Sequence, residues 1–158
     1  RYSAALEPEQ NPYLSRIDFR DDWSRLVGLG VLAGKLGFLW WSVYGDDFHV
    51  IRGDLVSVIE NLGSTIKESA ALREALVELD HEMRLPSRRM WVRNLYWIGS
   101  VDILGLREIT DRVDKLLLEA LGDDGSRWRE VQIWYRQAMR STRRANNAVF
   151  GERPPVAE

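Results

Sequence analysis

The 158-residue sequence has no cysteine, two histidines, three lysines and five prolines. Without thiols, a disulfide scaffold, a thiolate zinc site, an iron–sulfur cluster and a cysteine nucleophile are excluded. His49 and His81 leave imidazole chemistry few positions. No phosphate-cradling loop is present, because Gly28, Gly30 and Gly34 lie in an apolar run with no preceding strand and no following Lys-Ser/Thr. There is no Gly-x-Ser-x-Gly elbow either. A net charge of −2 and a pI near 5.8 argue against a wholesale basic nucleic-acid binder. The sequence therefore predicts no catalytic residue, no cofactor and no metal site. Arginine outnumbers lysine 19 to 3. That excess reads as compositional bias, since the two differ physically mainly where planar, bidentate contacts form. The chain starts at Arg1 rather than methionine, so residues upstream can have been removed and no targeting segment can be read.

Pro8, Pro12, Pro86, Pro154 and Pro155 divide the chain into an arm, two long proline-free blocks and a tail. The blocks carry apolar residues at three- and four-residue steps and no period-two alternation. The expected fold is all-α, a bundle of about four long, partly kinked helices. An extended arm over 1–17 precedes a single helical domain over 18–150, and a disordered tail over 151–158 follows. Within the domain the helical blocks are 18–45, 48–84, 87–121 and 126–150. Asp18, or Asp21 with Asp22, suits the first N-terminus. Gly45-Asp46-Asp47 reads as a stop. Gly63-Ser64 predicts a kink, with Thr65 and Glu68 at capping-box spacing. In the third block, Gly99-Ser100 predicts a break that leaves Met90–Ile98 as a short helix. Its later part has Leu106, Ile109, Val113, Leu116 and Ala120 on one face. Glu108 with Arg112 and Asp111 with Lys115 stand opposite at favourable ion-pair spacing. Ser126 is placed to cap the last helix, whose apolar stripe passes through Trp128, Val131, Tyr135 and Ala138.

Leu26–Tyr44 (LVGLGVLAGKLGFLWWSVY) holds one charge, Lys35. Its length suits a bilayer, and Trp40, Trp41 and Tyr44 gather at one end as an interfacial belt does. Gly30 and Gly34 form a small-xxx-small pair that lets helices approach closely. A central lysine costs about 2.5–3.5 kcal/mol on insertion scales, so a buried core helix competes with a membrane span. Arg16, Arg20 and Arg25 would place the arm on the cytoplasmic side of a span.

Glu78-x-x-His81 and Asp46-x-x-His49 have the spacing of a carboxylate-bridged dimetal site. Helical projection turns Glu78 and His81 away from the Leu72–Leu76–Leu79 stripe, towards solvent, and Asp46 falls in a turn. Arg129, Arg136, Arg140, Arg143 and Arg144 share a sector about 100° wide on the last helix. No acid lies between Glu130 and Glu152 to neutralise them. Such a strip fits a solvated face, or a docking strip for anionic lipid, an acidic protein or, less well, nucleic acid. Trp91, Tyr96 and Trp97 fit core packing or an interface anchor.

These features favour a non-enzymatic helical subunit or scaffold of a larger, membrane-associated assembly, with other protein subunits as partners. The alternative is a soluble helical binding or regulatory module, cytoplasmic if Leu26–Tyr44 is a buried helix, that contacts nucleic acid or an acidic protein through its arginine face.

Overall fold

The structure, a computed structural model, describes residues 5–6, 17–44, 52–93, 97–101 and 103–150. The turn at 45–47, His49 and the tail at 151–158 lie outside them. Helices make up the bulk: α1 (Asp22–Ala33), α2 (Lys35–Tyr44), α3 (Arg52–Thr65), α4 (Ala70–Arg84), α5 (Arg107–Ala120) and α6 (Ser126–Phe150). A small sheet accompanies them, formed by β1 (Ala5–Leu6), β2 (Arg89–Arg93) and β3 (Trp97–Val101) in the order β1-β3-β2.

The sheet corrects the short helix expected over Met90–Ile98. β2 and β3 pair antiparallel, with Trp91 opposite Gly99 and Met90 opposite Ser100. β1 adds in parallel, with Ala5 opposite Trp97, so the N-terminal arm contributes a strand. An apolar run this short fits a strand or a helix equally, and its pairing partner decides.

The helices also differ from the expected four. The first block breaks at Gly34, which is extended at φ −96° and ψ −178°. α1 and α2 meet there at a bend of 72°. Among the described residues, no single helix is long and apolar enough to cross a membrane; only the bent pair has the combined length and composition. In the second block, α3 continues through Gly63-Ser64 without a break and ends at Thr65. Gly63 is a point of close approach, since a Cβ there would lie 3.2 Å from the Ser24 Cα of α1. Ser69, not Thr65, caps α4, its hydroxyl accepting from Leu72 N at 3.3 Å. Glu68 instead pairs with Arg73.

α1 lies at the centre and packs against α3, α4 and α5. Its Leu26, Val27 and Val31 join Leu72, Ala75, Leu76 and Leu79 of α4 with Val113 and Leu117 of α5 in one apolar core. Each of the larger side chains, fully buried, contributes roughly 1.5–3 kcal/mol of transfer free energy. The α4 stripe at 72, 76 and 79 follows from 3.6-residue periodicity. Asp21 caps α1 by accepting from Ser24 N at 2.7 Å. Trp23 Nε1 donates to the Ile66 carbonyl at 3.3 Å, tying the first turn of α1 to the residue after α3. α6 is capped by the Asp123 carboxylate, which accepts from Arg127 N and Trp128 N, and Asp124 accepts from Ser126 N. Ser126 is thus held by the cap and does not supply it. Gly122 and Gly125 make the turn, at φ +90° and +96°, where a side chain would be strained.

Candidate functional site

The polar centre of the molecule lies where α1 breaks into α2. Breaking a helix frees the amides of the next first turn, which need acceptors when buried. Asp114 of α5 supplies them: Oδ2 accepts from Lys35 N at 2.7 Å and Oδ1 from Leu36 N at 3.4 Å. A carboxylate from one helix therefore caps another 79 residues away in sequence. The carboxylate also complements the positive end of the α2 dipole. Gly34 is required by this arrangement, because a Cβ there would fall on the Asp114 carboxylate. Gly37 backs onto the Val31 carbonyl in the same way, so two glycines admit the bend.

Lys35, the lone charge of the apolar segment, is buried at 7% exposure. Its ammonium pairs with Asp111 and stands 5.1 Å from the Tyr135 ring centroid and 5.5 Å from that of Trp128. These contacts join α2 to both α5 and α6. Asp111 is thus drawn to Lys35, with Arg107 3.9 Å away, and not to the expected Lys115, which pairs with Glu119. Arg112 reaches Glu78 on α4 instead of Glu108. Burial pushes the Asp114 carboxyl up to about 6, opposed by the two backbone amides and by Lys35. Burial likewise lowers the Lys35 ammonium from its ordinary value, Asp114 opposing and Arg107 and Arg136 adding repulsion.

A recess of about 240 Å³ opens beside this cluster. Leu32, Ala33, Phe38 and Ile103 form its apolar walls, and Lys35, Arg107, Thr110 and Tyr135 its polar ones. Both Asp114 oxygens are occupied by amides, and Lys35 is held by Asp111 and two rings. Neither group is presented to the recess as a free base or nucleophile.

The other sequence candidates fall around this centre. Gly30 faces α4 and α5: a Cβ there would lie 2.5 Å from Leu76 Cδ2 and 2.8 Å from Val113 Cγ1. Gly34 stands outside the helix, so the two glycines do not share a groove. Trp40 and Trp41 are half-buried and Tyr44 is exposed. Trp41 stacks towards Phe38, which also meets Trp134 and Tyr135 with ring centroids 5.6 Å apart, fastening α2 onto α6. Arg129, Arg136 and Arg140 are exposed on α6, whose Val131 is buried. The side chains of Arg143 and Arg144 lie outside the described residues. So do those of Trp91 and Trp97, on β2 and β3, and the whole of Tyr96. Glu78 and His81 are exposed, and among the described residues no group of three or more metal-ligating side chains converges.

Sequence reasoning gave Asp111 to Lys115 and missed Asp114 and the recess. The available sign was an uncompensated lysine in an apolar run, which requires a buried acid somewhere in the chain. No family model matches the chain, and neither a curated protein nor a solved structure matches it.

Proposed function

We propose that the protein is a non-enzymatic helical binding module, a subunit of a larger assembly that docks an acidic protein surface through the arginine face of α6. The observation that carries this reading is the exposure of Arg129, Arg136 and Arg140, none of which has an ion-pair partner among the described residues. Elsewhere on the described surface Arg25, Arg73, Arg84, Arg88 and Arg112 are each paired with a carboxylate. Sequence extends the same face through Arg143 and Arg144. The opposite face of α6 is engaged with α2 and α5, so the arginines are held on a rigid element and need no refolding to bind. Guanidinium groups one and two turns apart can each meet a carboxylate bidentately, which favours an acidic polypeptide.

A membrane-associated scaffold is the second reading. Val43 and Tyr44 are exposed at 63% and 66% at the end of α2, beyond the half-buried Trp40 and Trp41. Such a tip suits an interfacial anchor.

Combining Arg129→Gln, Arg136→Gln and Arg140→Gln tests both. Surface changes of this kind cost within about 0.5 kcal/mol each, so helix content and melting should hold. Anisotropy with a labelled polyglutamate peptide should show binding by the native chain that weakens with salt and falls at least tenfold in the variant. Undiminished binding in the variant would refute the arginine face. Preference for phosphatidylglycerol vesicles over polyglutamate would favour the scaffold reading.

A further inference from the structure

We propose that the recess at the α1–α2 break binds a small organic anion with an apolar body, of the aryl-alkyl carboxylate class. Three features converge on that chemistry. The first is size. About 240 Å³ is below the range of drug-sized pockets and suits a body of about ten heavy atoms.

The second is the lining. Leu32, Ala33, Phe38 and Ile103 give the recess apolar walls, and Lys35, Arg107, Thr110 and Tyr135 add polar groups. An occupant that combines an apolar body with a polar group matches this mixed lining.

The third is charge. Lys35 and Arg107 are the cations that line the recess. Two carboxylates oppose them, and both are committed: Asp114 caps α2, and Asp111 holds Lys35. Arg107 is the cation left with capacity. Its one acidic partner among the described residues is Asp111 at 3.9 Å, beyond hydrogen-bonding distance, and its side chain is 60% exposed. The guanidinium fork is thereby available to a planar carboxylate. Thr110 donates its hydroxyl to the Arg107 carbonyl at 3.1 Å, which leaves the oxygen lone pairs and supplies no competing anion. This site uses Arg107 and the recess walls, and it stands or falls independently of polyglutamate binding at the α6 face.

The test is a nuclear magnetic resonance titration of the whole chain with phenylacetate, 2-phenylethanol and 2-phenylethylammonium. Phenylacetate should saturate with a dissociation constant of about 1 mM or tighter and shift the amides of Gly34, Lys35 and Leu36. The neutral alcohol should bind at least tenfold more weakly, and the ammonium compound should not saturate. Arg107→Gln, at an exposed position, should keep the native melt and lose phenylacetate affinity about tenfold. Lys115→Gln, an exposed cation on the same helix away from the recess, should change nothing. Equal affinity for acid and alcohol, unchanged binding in Arg107→Gln, or phenylacetate shifts that never saturate would each overturn the assignment.

Discussion

Replacing Asp114 with asparagine separates the two roles of that side chain, acceptor and buried charge. Asparagine keeps the shape and one oxygen for Lys35 N but cannot ionise. The native carboxyl titrates near 6 against an ordinary 3.8. A gap of about two pH units corresponds to roughly 3 kcal/mol of differential stability. Its sign follows from which state holds the proton. Between the two values the native state is protonated and the unfolded state is not, so stability is greatest below about pH 4 and is lost as pH rises through about 6. The carboxylates of Asp21, Glu68 and Asp124, whose hydrogen bonds lower them, contribute in the opposite direction, as does Asp80, where the Arg25 and Arg84 bonds outweigh burial. Both proteins carry those groups, so they cancel in the comparison. Urea unfolding of native and Asp114→Asn chains from pH 4 to 8, followed by tryptophan fluorescence, measures the difference. The native chain should lose up to about 3 kcal/mol relative to the variant across that span, with the change complete by about pH 7. A constant difference, or one that moves in favour of the native chain as pH rises, would refute the buried cap.

The neighbouring residues give further expectations. Lys35→Met leaves Asp111 and Asp114 without their cation and should cost about 3 kcal/mol, read by urea unfolding at pH 7. Gly30→Leu drives a side chain into Leu76 and Val113 and should lower stability by about 1–3 kcal/mol, whereas Glu108→Leu at an exposed position should stay within about 0.5 kcal/mol; paired thermal melts compare them.

Local rules captured the helical character and the α4 stripe, because those features are written within a few residues of each other. The stripe assigned to α5 was rotated. Leu106 and Val113 are buried as expected, but Ala120 is exposed while Thr110, Asp114, Leu117 and Leu118 are inside. A carboxylate on the buried side hides an amphipathic face, and its partner amides lie 79 residues away. The sheet escaped for the same reason, since β3 takes its parallel neighbour from residues 5–6. The apolar run at Leu26–Tyr44 carried conflicting signs. Its composition fitted a span, while Lys35 is buried and Gly34 stands at the break of a bent helix pair. The charge in the middle was the informative residue. At the α6 face, helical projection places Arg129, Arg136 and Arg140 together, and those three are exposed.

The most direct test of the binding-module account is a charge swap on that face. Arg136→Glu with Arg140→Glu reverses the charge at two exposed positions and leaves the buried Val131 side untouched. Affinity for labelled polyglutamate and polylysine, measured at a fixed low salt concentration, should invert. The native chain should bind polyglutamate, and the swapped chain should lose it and gain polylysine. Polyglutamate binding that survives the swap, in a chain with native helix content, would contradict the account.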